Sequence, residues 1–363
     1  YKRQLDIIVP LGISFYTFQS TGYLIDVYRG MYEPQKNPMK YALFILFFPQ
    51  IMQGPIGRYN DLAPQLFEPC KFDYDRLKSG LVRMLWGFFK KMVMEDRAAL
   101  LVNTVFDNWK PYSGAVIWTA VFLYAVQLYA DFSGYMDIAL GAGEALGIRL
   151  SENFRTPYFS KSTAEFWRRW HISLSTWFKE YVYIPMGGNR KGLPRQLFNI
   201  LVVWVLTGIW HGAGWNFLFW GLWFAFFLIL EKLFLGDILE SVPKVFGRIY
   251  TLAVVLISWV FFALESPGEI LAYLQAMFGM NGIGPVNSLA MFLCNEYLVL
   301  LVIALVACLP LGSRLVHALK SSKTGPAMAL YRLGEKVIPA VLLLLSVAYI
   351  VDASYNPFLY FRF

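Results

Sequence analysis

The feature that most limits what this chain can become is a succession of apolar runs close to the thickness of a bilayer. They are Ala115 to Leu140, Leu197 to Trp210, Trp215 to Leu235, Tyr250 to Leu264, Leu289 to Leu309 and Val337 to Val351. About 20 residues of α-helix cross the ~30 Å of hydrocarbon in a membrane. Lipid supplies no partner for a backbone N–H or C=O, so a crossing segment must satisfy its own, as a helix does. The expected fold is therefore all-α, a polytopic membrane protein. Composition agrees. Of 363 residues 57% are hydrophobic and only 15% are charged, where a soluble domain carries about a quarter charged.

The loops set the orientation. Residues 149–195 hold Arg149, Arg155, Lys161, Arg168, Arg169, Lys179, Arg190, Lys191 and Arg195 against Glu152, Glu165 and Glu180. The positive-inside rule makes this face cytoplasmic. Lys232, Lys244 and Arg248 return to it, as do Arg314, Lys320, Lys323, Arg332 and Lys336. The stretch 265–288 has Glu265 and Glu269 but no Lys or Arg and reads as an external loop. Earlier in the chain the threading is less regular. Ile7 to Ile25 is broken by Pro10 and Gly12. Tyr41 to Ile56 is short and interrupted by Pro49, Gln50, Gln53, Gly54 and Pro55, which reads as a re-entrant segment as readily as a span. Leu81 to Met94 reads as a basic amphipathic helix suited to the interface, and Ala98 to Phe106 as a short apolar stretch.

Net charge is +8, but the basic residues sit in loops between apolar runs, so membrane lipid and not nucleic acid is the expected partner. Cys70, Cys294 and Cys308 form no CxxC or CxxH spacing, so neither a disulfide framework nor a metal site is expected. No repeat is visible, and residues 1–363 read as a single membrane-embedded domain. The chain starts at Tyr1 and not at a methionine, which reads as a fragment lacking N-terminal spans.

Two of the three histidines lie in costly surroundings. A titratable ring among aromatic and apolar residues at membrane depth is a functional-site hypothesis by default. Ser162 and Glu165 fit a capping box that starts a helix near Thr163. On one continuous helix, Trp167, Trp170, His171, Leu174, Trp177 and Phe178 share a face, and Arg168, Ile172, Ser175 and Lys179 share another. His171 thus points to the aromatic side. His211 follows fourteen apolar residues, which place it about 21 Å in from Leu197 at ~1.5 Å per residue. Gly212 and Gly214 break the helix there, and a wet cavity floored by a neutral imidazole suits that break. His317 lies in a basic loop and receives no role. Asp131, Asp137 and Glu144 sit in or beside an apolar run. They suit either an ion pathway or a structural role, pairing with arginines such as Arg149 or Arg155 or capping broken helices, and the structural role is preferred. The glycines at 141, 143 and 147 do not form GxGxxG, and no parallel-sheet pattern surrounds them.

Motifs along nearly the whole chain resemble the membrane-bound O-acyltransferase family in its bacterial branch. They are Pro10 to Gln19, Phe48-Pro-Gln-Ile-Met-Gln-Gly-Pro-Ile-Gly-Arg58, Tyr129-Ala-Asp-Phe-Ser-Gly-Tyr-Met-Asp-Ile138 and Asn153-Phe-Arg-Thr-Pro-Tyr158. Phe166-Trp-Arg-Arg-Trp-His171, Tyr183 to Asn189, Thr207-Gly-Ile-Trp-His-Gly-Ala213 and Asn356 to Phe363 follow. The branch includes alginate-type acetylases, to which Tyr183 to Lys191 and the Phe363 ending are nearest, and proteins that D-alanylate teichoic acids.

The resemblance implies that His211 is the catalytic histidine and His171 the second active-site position, within interfacial and re-entrant helices around a central tunnel. It implies acyl transfer, most simply acetyl, for O-acetylation of an extracellular or cell-wall polysaccharide. The donor would be acetyl-CoA or an acyl-carrier thioester, with no tightly bound cofactor. Implied partners are an extracytoplasmic SGNH-type acetyltransferase and an acyl carrier protein, and the implied location is the bacterial plasma membrane. Arg168, Arg169 and Lys179 are expected to face an anionic donor. D-alanyl transfer to teichoic acid is the alternative within the enzyme class, and a secondary transporter is the alternative outside it.

Overall fold

A computed structural model of the chain describes residues 12–352 apart from 309–310 and 323–324. Among them no strand occurs. The helices run α1 (Ile13–Tyr28), α2 (Pro38–Ile45), α3 (Tyr59–Phe67), α4 (Tyr74–Phe89), α5 (Asp96–Asp107) and α6 (Gly114–Ala145). They continue with α7 (Thr163–Trp167), α8 (Ile172–Phe178), α9 (Leu193–His211), α10 (Trp215–Leu230), α11 (Gly236–Ser241) and α12 (Lys244–Ala263). The last are α13 (Pro267–Met277), α14 (Ser288–Glu296), α15 (Leu298–Cys308), α16 (Leu311–Ser321) and α17 (Gly325–Asp352).

Among the described residues, five stretches are long and apolar enough to cross a membrane: Gly114–Ala145, Leu193–His211, Trp215–Ser241, Lys244–Ala263 and Gly325–Val351. Each contains or overlaps a run expected from sequence. The expected run Leu289 to Leu309 differs. It breaks at Tyr297 into α14 and α15, just after Asn295 and Glu296 interrupt the apolar pattern, and Leu309 lies outside the described residues. The stretch read as an external loop contains α13, which packs beside the start of α6. A side chain on Gly114 would meet the Met277 carbonyl at 2.6 Å.

The Ile7 to Ile25 run is described only from Gly12, and Pro10 and Leu11 lie outside. Gly12 enters α1 with φ 76°, and a Cβ there would overlap the Ile51 carbonyl, so only glycine fits the junction. Its neighbour across that contact is the interrupted segment. After α2 the chain turns through Phe47 to Gln53 rather than continuing as a helix. Gln50 and Gln53 are fully enclosed, with Gln50 donating to the Phe44 carbonyl at 3.0 Å. Irregular backbone of this kind needs enclosure by protein at membrane depth.

At the centre stands α6, 32 residues long, or about 48 Å at helical rise. It is buried over most of its circumference. The basic segment read as an amphipathic helix packs along α6 as α4, continued by a π-helical stretch Lys90–Glu95. Glycines at equal spacing allow this approach: a methyl on Gly80 or Gly141 would overlap the other's carbonyl, and the same holds for Gly87 and Gly134. With the backbones that close, the basic side chains of one helix reach the acids of the other. Arg83 and Lys90 bind Asp137 at 3.0 and 2.6 Å, and Lys91 binds Asp131 at 3.3 Å. The expected pairing of these acids is therefore correct in kind and wrong in partner. Arg149 and Arg155 are nearer in sequence, but the glycine seam selects α4.

Candidate active site

The residues 163–178 do not form one helix. Ser162 Oγ accepts the Glu165 N–H at 3.0 Å, as a capping box requires, while the Glu165 carboxylate takes the N–H of Lys161. The Glu231 carboxylate adds bonds to the N–H groups of Thr163 and Ala164, at 2.6 and 3.0 Å, so the free donors at the start of α7 meet a negative charge. The helix then stops after Trp167. His171 adopts the left-handed conformation at φ 46°, ψ 54°, costly for a residue with a Cβ, and α8 begins behind it. The break is held from outside. The Asn153 carbonyl accepts from Ile172 N–H, the Asn153 side chain accepts from Ser173 N–H, and Arg155 N–H donates to the Arg169 carbonyl. Ser173 Oγ accepts from Ile56 N–H at 3.2 Å, which ties the interrupted segment after α2 to the same turn.

The aromatic face expected on a continuous helix survives the break. Trp167, Trp170, His171, Leu174 and Phe178 are buried, and Arg168 and Lys179 are exposed. The His171 ring lies 4.8 Å from Phe132, 6.1 Å from Phe15 and 6.3 Å from Trp210. Burial, with neighbouring His211 adding to it, pushes its imidazole down to about 3, so the ring is neutral at physiological pH.

His211 ends α9, and the chain turns through Gly212 and Gly214 into α10. The two helices pack through small residues. A side chain on Gly208 would meet the Phe217 carbonyl at 2.6 Å, and one on Gly221 would overlap the Trp204 carbonyl. That approach brings Trp220 of α10 to 4.8 Å from the His211 ring, with Trp210 at 4.7 Å and Phe262 of α12 at 5.2 Å.

Both histidines line one cavity of about 150 Å³, together with Ser14, Asp131, Phe132 and the tryptophans at 167, 170, 210, 220 and 259. Its wall thus draws on residues from α1, α6, α9, α10 and α12 and from the segment around the α7–α8 break. Beside it lies a second, larger and mainly apolar pocket of about 340 Å³, lined by Arg168, Lys179, Tyr183, Trp204 and Thr207. Trp167 lines both. Of the three cations expected to face a donor, Arg168 and Lys179 meet in this second pocket. Arg169 does not line it and binds Glu165 at 2.6 Å. His317 is exposed on α16 within reach of Ser321.

Residues 35–267 match the family model described as the membrane-bound O-acyltransferase family. The chain belongs to the membrane-bound O-acyltransferase family. As a member it is an acyltransferase and a multi-pass membrane protein. It is 37% identical to the probable alginate O-acetylase of Pseudomonas putida, over 98% of this chain and 76% of that protein. It is 35% identical to the peptidoglycan O-acetyltransferase of Helicobacter pylori, over 77% of this chain and 58% of that protein. It is 29% identical to the teichoic acid D-alanyltransferase of Bacillus subtilis, over 63% and 60%.

Sequence reasoning singled out both histidines and missed most of the wall around them. Trp220, Trp259 and Phe262 sit in runs so uniformly apolar that no periodicity marks the side facing a cavity. Asp131 reads from sequence as structural, and its bond to Lys91 agrees. That it also lines the chamber is visible only once α4, α6 and the α7–α8 break are assembled.

Proposed function

We propose that this member of the family moves an acetyl group from a cytoplasmic thioester, acetyl-CoA or an acyl-carrier thioester, across the bacterial plasma membrane for O-acetylation of an extracellular or cell-wall polysaccharide. The observation that carries the reading is the shared chamber. Two imidazoles from different segments of the chain line one cavity, and its Trp167 wall also bounds a pocket edged by Arg168 and Lys179.

The chemistry follows from that arrangement. The hydroxyl acceptor gives its proton to His211, a general base of a kind that contributes about 10²–10⁴-fold. The acceptor oxygen bonds to the thioester carbon, the C–S bond breaks, and the departing sulfur takes the proton from His211. An ester and a thiol result. His171, neutral and held in place by the turn around Asn153, orients the acceptor or polarises the carbonyl. The apolar pocket suits the slender arm of a thioester donor, and Arg168 and Lys179 at its edge suit the donor's phosphates. Arg169, held by Glu165, is the weaker candidate for that contact. An extracytoplasmic SGNH-type acetyltransferase is the proposed partner that hands the acetyl group to the polymer.

Mass analysis of the envelope polymers tests the reading in cells that have or lack the intact protein. Base-labile acetyl esters that disappear with the protein, and with His211→Ala at unchanged membrane level, are the expected result. Unaltered acetylation in either strain would exclude it. A second reading, D-alanyl transfer to teichoic acid, draws on the similarity to the Bacillus subtilis protein. The same mass analysis separates the two, because an alanyl ester and an acetyl ester differ in mass.

A further inference from the structure

The apolar pocket and the chamber meet at a single side chain. Along α9 the pocket is lined by Ile200, Val203, Trp204 and Thr207, and the chamber by Trp210 and His211. These positions succeed one another away from the basic loop before α9, so the pocket climbs from the face read as cytoplasmic and stops near Thr207. His211 lies four residues further on, about 6 Å along the helix. The order repeats on α10, where Leu228 lines the pocket and Trp220, about two turns deeper, lines the chamber.

Among the described residues, Trp167 is the one that lines both cavities. Its ring, and not merely its backbone, stands at the partition. The ring centroid is 4.6 Å from that of Trp204, a pocket residue, and 5.7 Å from that of Trp220, a chamber residue. Phe224, fully buried, braces it at 4.9 Å. The backbone below is held too. Trp167 ends α7, and the Arg169 carbonyl just beyond accepts the Arg155 N–H at 2.9 Å.

A donor that carries its thioester from the pocket to His211 has to bring the acyl group past this ring. Protein interiors are packed without slack, and methylenes added beside a braced ring displace it or its neighbours. A two-carbon acyl group asks for the least room. Each further methylene asks for more, at the entrance to a chamber of only about 150 Å³.

We propose that Trp167 determines acyl size in this protein: its indole lets an acetyl group through and excludes longer acyl groups. This rests on the reading that the donor thioester approaches His211 through the apolar pocket.

The test measures a ratio. Inverted membrane vesicles are made from cells that carry the whole protein. Acetyl and butyryl groups are offered together, first on coenzyme A and then on purified acyl carrier protein, and the esters formed on the envelope polymer are resolved by mass. The ratio of the two esters does not depend on how much protein has folded. Wild type is expected to favour acetyl by about 10²-fold, the size of discrimination that a methylene or two commands in an apolar site. Trp167→Ala is expected to narrow that preference by about tenfold or more, and Trp167→Leu, which keeps more of the partition, to narrow it less. Trp223→Ala removes an α10 tryptophan that lines neither cavity and is expected to leave the ratio unchanged even if less protein inserts. Wild type that takes both acyl groups equally overturns the proposal, as does a wild-type ratio in the Trp167 variants. If Trp167→Ala does not insert, Trp167→Leu decides. His211→Ala is run beside them. Acetyl ester formed by that variant at the wild-type rate removes the underlying reading. An inactive His211→Ala with an unchanged ratio in the Trp167 variants removes only the role of Trp167.

Discussion

Two polar regions are enclosed in this protein, and they treat their polar atoms in opposite ways. Along the α4–α6 seam nearly every charge has met its opposite. Lys91 binds Glu95, Asp96 and Asp131 at 2.5, 3.4 and 3.3 Å. Gln127 donates to Glu95, and Arg83 spans Asp137 and Glu152. In the chamber the polar atoms are left open. His171 Nδ1 and four indole nitrogens have no partner among the described residues, and His171 is held in a strained backbone conformation. A closed network fixes two helices in register. Around the chamber the helices are held by aromatic packing instead, and these buried polar atoms go without a partner among the described residues. Asp131, which lines the chamber and also binds Lys91, is where the two regions touch.

The comparison can be broken at either end. The largest effect is expected at the chamber, where His211→Ala should lower acetyl transfer by at least 10²–10⁴-fold while the protein still inserts and melts as before. Rate and melting temperature measured on the same membranes check this, and a parallel loss of both would move His211 to the structural side.

At the seam the order reverses. Lys91→Met leaves Glu95 and Asp131 buried without their cation, which is expected to cost about 3–5 kcal/mol. It should appear as reduced membrane-inserted protein and a lower melting temperature. Any protein that does fold should keep most of its specific activity. A stable but inactive Lys91→Met protein would show that the seam takes part in the chemistry through Asp131.

An intermediate effect is expected where helix packing places the chamber wall. Gly221→Val drives a side chain into the Trp204 carbonyl, and overpacking of this kind costs about 1–3 kcal/mol. Because α9 and α10 must separate, His211 and Trp220 move apart, so activity should fall further than stability alone accounts for. Gly312→Ala, with open space around it, should change neither.

The smallest effect is a pH dependence of stability. The His171 imidazole lies below its unfolded value when the protein is folded. Between about pH 3 and the unfolded value near 6.5, the unfolded chain binds the extra proton, so stability falls as pH falls through that window. Thermal melts of wild type and His171→Gln at pH 7.5 and 5 should show a steeper loss in wild type. Identical slopes would mean that the ring titrates freely.

Most of the architecture could be read before any coordinates, because it depends on one-dimensional quantities. The length of an apolar run and the placement of lysine and arginine decide whether a segment crosses lipid and which way it faces. Five stretches long and apolar enough to cross a membrane fall where that reading put apolar runs. The histidines were legible for a related reason: an imidazole among tryptophans is conspicuous in the chain itself. The errors came where the chain turns back on itself. The pattern over 163–178 alone reads as a single helix, and the break comes from Asn153 and Arg155, whose bonds impose it from another segment. For Asp131 and Asp137 the sequence suggests arginines nearby in the chain, whereas the glycines at 80, 87, 134 and 141 bring α4 within reach.

By itself, then, the sequence determined an all-α membrane protein of the O-acyltransferase family and the two imidazoles that distinguish it. Hydrophobic length, loop charge and local motif are each complete within a short window. Only the tertiary structure decided that both histidines line the same cavity, that tryptophans from several elements wall it, and which acids are neutralised. Those are relations between distant segments, set by how closely backbones can approach, and no window along the chain contains them.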